Sequence, residues 1–145
     1  MKAVRMKVQK KVPNLPIFKN AIKGMTFNDA KEILLGPQNS ATNYFKDRTS
    51  AQLATTFSPY IKKSLDQVKA TEIWTQITTK YNSIPFVKKV ETDIGKYATD
   101  KALIGLFSKV EIEEGKIRAN INDRKTDLLQ KVFAYADRQL NKSSN

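Results

Sequence analysis

The chain has 145 residues, 40% apolar and 28% charged, a balance that suits one folded domain with a solvated surface. It contains neither cysteine nor histidine. That excludes disulfides, thiolate nucleophiles, zinc–thiolate sites and every Ser–His–Asp or Cys–His mechanism, and leaves acid–base work to Asp, Glu, Lys or Tyr. The formal net charge of +12 is concentrated at the front: Lys2, Arg5, Lys7, Lys10, Lys11, Lys19 and Lys23 all precede the first acid, Asp29. Such a block favours anionic partners.

Taken in chain order, the pattern predicts helices with clear punctuation. Met1, Val4, Val8 and Val12 fall on one stripe with lysines opposite, and Pro13 and Pro16 end that segment. A short helix is expected from Ile17 to Lys23, closing at Gly24. Thr26 stands three residues before Asp29, a variant of the capping box, and starts a helix from Phe27 to Leu35 that Gly36-Pro37 stops. Ser40 caps a segment from Ala41 to Asp47, and Thr49 or Ser50 caps another from Ala51. Pro59 predicts a break near Ser58. Thr71 to Tyr81 carries Ile73, Trp74 and Ile77 at helical spacing, and Ile84-Pro85-Phe86-Val87 reads as a buried connector.

The longest helical pattern runs from Ile94 to Ala119. Gly105 interrupts it, at a cost of about 1 kcal/mol relative to Ala, and reads as a place where a neighbouring helix comes close. Asn122 or Asp123 opens the last helix, Arg124 to Leu140, with Leu128, Leu129, Val132, Phe133, Ala136 and Leu140 on its apolar face. A core shared by the last two long helices is expected at Leu103, Phe107, Val110, Leu129, Val132 and Phe133. No strand alternation or internal repeat is evident. The fold class predicted is all-α, a single-domain irregular helical bundle over residues 1–140 with a frayed tail.

Three groups could carry chemistry. Glu111, Glu113 and Glu114 lie close together, and Glu114 stands four residues before Arg118; this reads as a solvated helix face with an ion pair of about 0.2–0.5 kcal/mol. Arg118 and Arg124, with Lys125 and Thr126, flank the start of the last helix and form a candidate anion site, competing with simple capping by Asn122, Asp123 and Asp127. The front block, Lys2, Arg5, Lys7, Lys10 and Lys11, is the other anion-binding candidate. Tyr44, Phe45, Lys46 and Arg48 interleave aromatic and basic residues as single-strand nucleic-acid binders do, but the aromatics also fall on apolar stripes and read as core. The glycines are isolated, so there is no phosphate-binding loop, and no metal or cofactor is expected.

Several blocks carry a family likeness: Met25-Thr26-Phe27 with Asp29-Ala30, Ala41-Thr42 with Tyr44-Phe45, and Lys101-Ala102-Leu103 with Gly105-Leu106-Phe107. Glu113-Glu114 with Lys116-Ile117-Arg118 and Thr126-Asp127-Leu128-Leu129 with Lys131-Val132-Phe133 complete the set. In this order and spacing, roughly from Pro13 to Phe133, the chain resembles the bacterial DUF4197 family, whose function is unknown. The resemblance implies an exported, helical protein of Gram-negative bacteria, periplasmic or envelope-associated, and brings no catalytic residues. Met1 falls inside the family's domain, so its leader and an early segment are expected to be missing here. No apolar run is long enough to span a bilayer, and the first residues lack the apolar core of a secretory signal. The function expected is a non-enzymatic accessory or binding module of the cell envelope whose partner is an envelope protein or an acidic lipid surface. The alternative is a cationic protein that binds nucleic acid or acidic lipid through its front segment.

Overall fold

A computed structural model describes residues 15–143. The protein is all-α: among the described residues there are six α-helices, one short 3-10 turn and no strand. The helices are α1 (Leu15–Lys23), α2 (Phe27–Leu35), α3 (Ser40–Gln67), α4 (Ala70–Asn82), α5 (Ile94–Ala119) and α6 (Asp127–Ser143). The 3-10 turn Ile121–Asp123 precedes α6. The stripe expected over Met1 to Val12, and with it Lys2, Arg5, Lys7, Lys10 and Lys11, lies outside the described residues.

Local chemistry explains most boundaries. Pro16 falls in the first turn of α1, where its missing N–H has no helical partner to lose, so α1 starts ahead of this proline rather than after it. The Thr26 box closes as expected: the Asp29 amide donates to Thr26 Oγ1 (3.1 Å) and the Thr26 amide to Asp29 Oδ2 (2.8 Å). Helix α3 corrects the sequence reading, because it runs unbroken through Pro59. The Thr49 and Ser50 hydroxyls donate to the carbonyls of Phe45 and Lys46 one turn back, instead of capping a new helix.

The start of α6 is also corrected. Asn120 caps the 3-10 turn, its side chain accepting from the Asn122 amide, and Thr126 accepts from the Leu129 amide at the true helix start. Gly105 has open space where a side chain would stand, so close helix approach is not its reason.

Contacts divide the chain into two units, with α3 and α5 contributing to both. The first contains Ala51–Gly105 and the residues up to Ile17. Its buried apolar residues are Ile17, Leu53 (0% exposed) and Leu103, joined by Thr78 and Thr99. Each threonine hydroxyl is satisfied by a carbonyl of its own helix, Thr78 by Trp74 and Thr99 by Gly95. Trp74 stacks on Tyr97 (5.7 Å, 26°) and donates its indole N–H to the Glu91 carbonyl (2.9 Å). The segment from Ile84 to Val87 is not buried: Ile84 and Phe86 are exposed.

The second unit contains Phe18–Ser50 and the residues from Leu106 on. Phe107 and Ala136 are buried there, and Phe45 meets Phe18 edge-on at 5.6 Å. Helix α6 packs against α2. The expected pairing of the last two helices is therefore incomplete: Leu129 and Phe133 are half-buried, while Leu128 and Val132 are exposed. The connection through the 3-10 turn, longer than a tight antiparallel turn, lets α6 reach α2.

Candidate functional site

The site is built where α2 ends and α3 begins. Gly36-Pro37 forms that corner, and it is tight: a Cβ on Gly36 would collide with the Ser40 hydroxyl and the Glu32 carbonyl. Two helix ends meet there, and each carries unpaired backbone groups that need partners. Glu114 and Arg118, one turn apart on α5, supply them.

The Glu114 carboxylate accepts from the Ala41 amide (2.9 Å), the Thr42 amide (2.7 Å) and the Thr42 hydroxyl (2.7 Å), at the start of α3. Negative charge at a helix N-terminus also suits the helix dipole. Arg118 donates to the last carbonyls of α2, Ile33 (2.6 Å) and Leu34 (3.4 Å), and to Glu114 Oε1 through Nε (2.9 Å) and Nη2 (2.7 Å). A carboxylate thus caps one helix, a guanidinium caps the other, and the two cancel each other's charge.

Glu114 is only 8% exposed, so the expectation of a solvated face fails at this residue. Glu113 does meet that description, pairing with Lys116 at 2.7 Å on the surface, and Glu111 accepts from Asn39. Burial pushes the Glu114 carboxyl up, but the hydrogen bonds from Thr42, Ala41 and Arg118 outweigh it and hold the group below its ordinary range.

Arg124 repeats the device. It is 4% exposed and donates to the carbonyls of Ile117 and Arg118 at the end of α5 (both 3.0 Å) and to Asp137 on α6 (2.8 Å). Its guanidinium lies 5.0 Å from the Phe133 ring centre, with Arg118 at 5.8 Å from the same ring. The sequence pattern offers Arg118 and Arg124 as a candidate anion site, against simple capping by Asn122, Asp123 and Asp127. The structure brings them together around Phe133 and gives both guanidiniums acceptors within the protein, as C-caps of α2 and α5.

Beside this corner opens an apolar cleft of about 560 Å³. Its walls are Met25, Ile33, Phe45, Leu106, Val110, Ile117, Leu129 and Phe133, with Lys109, Glu113, Glu114 and Arg118 at its edge. A second cleft of about 640 Å³ shares Met25, Ile33 and Phe133 and continues along α2 and α6 past Phe27, Leu34, Val132 and Tyr135. Phe27 is 85% exposed at this second opening. A larger hollow of about 750 Å³ near Asn28, Glu32 and Asp47 has mixed polar and apolar walls. Sequence reading placed Phe45, Val110, Leu129 and Phe133 on apolar stripes but did not foresee that they would leave a cavity. Met25 stood out only as part of a family block, and Ile33 was not singled out, because a short helix with few turns defines its apolar face poorly.

Among the described residues no cluster of acidic side chains suits a metal ion, and no helix is long and apolar enough to cross a membrane.

These features define an all-helical protein whose buried charges cap helix ends beside an apolar cleft. The chain belongs to the DUF4197 family, described as a protein of unknown function, whose model matches residues 8–134. No curated protein and no solved structure matches it.

Proposed function

We propose that this protein is a non-catalytic binding module of the bacterial envelope, and that it holds an apolar or amphipathic small molecule in the cleft walled by Met25, Ile33, Phe45, Leu106 and Phe133. One observation carries the reading: a cleft of about 560 Å³ with nearly continuous apolar walls, charged groups only at its edge, inside the size range of small-molecule sites. The chemistry at that edge supports binding over turnover. Glu114 and Arg118 are engaged with helix ends and with each other, and Glu113 is paired with Lys116, which leaves Lys109 as the lining charge that can meet a polar head. The envelope assignment rests on the family likeness.

The test is titration of the full chain with a fluorescent long-chain fatty acid, repeated on Leu106→Trp, which fills the cleft. Saturable binding that Leu106→Trp weakens at least tenfold, with the helical spectrum retained, supports the reading. Binding that is absent, or indifferent to the filled cleft, refutes it.

A second reading is favoured by the acid-free front of the chain: anion binding through Lys2, Arg5, Lys7, Lys10 and Lys11. Neutralising these five should then abolish retention on DNA or acidic lipid at low salt. Unchanged retention removes the idea.

A further inference from the structure

The loop between α4 and α5 has a feature that neither reading uses. Phe86 is 107% exposed and sits at φ 64, the left-handed region that non-glycine residues rarely occupy. Pro85 stands just before it, and a proline followed by a positive-φ residue is the arrangement in which turns favour glycine. Here the position holds a large aromatic side chain, directed into water by a strained backbone. Strain of this kind persists only where the surroundings enforce it, and it gathers at functional positions.

The base of the loop supplies that enforcement. The Asn82 side-chain amide makes two bonds to Val90, donating to its carbonyl and accepting from its amide, both at 2.9 Å. Lys89 donates to the Asn82 carbonyl, and Trp74 holds the Glu91 carbonyl. The tip beyond this clasp presents Ile84 and Phe86, and Ile73, Ile77 and Tyr81 lead to it along α4, all exposed.

Charge decides what this surface suits. From residue 69 to residue 90 the basic residues are Lys69, Lys80, Lys88 and Lys89, and the only acid is Glu72. Just past the loop, Glu91 is paired with Lys96 at 3.1 Å and Asp93 accepts from the Lys96 amide at 3.0 Å. A projecting apolar tip with cations beside it matches the boundary of an anionic bilayer, where apolar side chains enter the acyl region and lysines meet phosphate headgroups.

We propose that residues 83–90 form a membrane-docking tip, in which Ile84 and Phe86 insert into the interface of an anionic bilayer while Lys88 contacts its headgroups. The front block of lysines can also hold the chain on acidic vesicles, so the test must report on the tip itself. The full chain carrying Phe86→Trp is mixed with phosphatidylglycerol vesicles, and its emission is compared with that of the parent, whose only tryptophan is Trp74. The added signal should shift to the blue and be quenched by brominated acyl chains, and should stay unshifted with phosphatidylcholine at the same salt.

Phe86→Gly supplies the second measurement. It should weaken partition onto phosphatidylglycerol by about tenfold or more, while the thermal midpoint stays level or rises as the backbone strain is released. Lys88→Glu should weaken partition by about fivefold or more, an effect that fades at high salt. A water-exposed emission from the Phe86→Trp chain in the presence of phosphatidylglycerol, or undiminished partition of Phe86→Gly, overturns the proposal. A tip that serves a protein socket would give that same outcome.

Discussion

Glu114→Gln tests the corner more directly than any other change. The substitution keeps the shape of the side chain but removes its charge and turns one acceptor oxygen into a donor. In the native fold the two oxygens accept from the Ala41 amide, the Thr42 amide and hydroxyl, and Arg118 Nε and Nη2. If the remaining carbonyl faces Arg118 and Ala41, the new amide group faces the Thr42 N–H and no bond can form there. Arg118, with its side chain 11% exposed, also loses its counter-charge.

Removing one partner of a buried pair costs about 3–5 kcal/mol. Arg118 retains the Ile33 and Leu34 carbonyls, so the lower end applies and the expected loss is about 3 kcal/mol. That is a large fraction of the stability of a typical domain. Urea unfolding followed by far-ultraviolet circular dichroism at pH 7 measures it. Arg118→Met combined with Glu114→Gln should cost less than the sum of the single changes, because each single change strands the other's partner.

The pH dependence has a definite sign. The folded carboxyl titrates below its ordinary value of 4.5, so its contribution is complete above that value and is lost as pH falls through the lower folded value. The stability gap between parent and Glu114→Gln should therefore narrow on acidification. A loss under about 1 kcal/mol at neutral pH, or a gap that widens in acid, would refute the account of Glu114 as the buried, charged cap of α3.

Two further changes probe the rest of the fold. Phe107→Ala should cost about 3–5 kcal/mol, since the ring is only 5% exposed, and a loss near zero in urea unfolding would show that its surroundings collapse without it. Thr26→Ala removes one half of the capping box that starts α2 and should cost about 1 kcal/mol, read as a lower urea midpoint with an unchanged slope. An unchanged midpoint would mean that α2 is held by packing alone.

What the sequence determined by itself was local. The all-α class, the bounds of α2 and α5 and the Thr26–Asp29 box depend on interactions within a few residues, and such interactions leave a periodic or spaced trace in the chain. The family was legible for a similar reason, in short blocks kept in order.

Tertiary structure decided where charge and apolar surface ended up. Glu114 and Arg118 have the spacing of any surface pair, and nothing local distinguishes them from Glu113 and Lys116; only the approach of the α2–α3 corner, more than seventy residues away in the chain, turns them into caps. Arg124 was a candidate anion ligand beside a helix start, and only the fold supplies Asp137 and the end of α5 as acceptors for its donors. Pro59 suggested a break that α3 does not make, and Ile84-Pro85-Phe86-Val87 suggested a buried connector whose clasp at Asn82 and Val90 instead holds Phe86 in water. Residue type sets the cost of burying or exposing a group. Whether that cost is met depends on partners distant in sequence, and those exist only once the chain has folded.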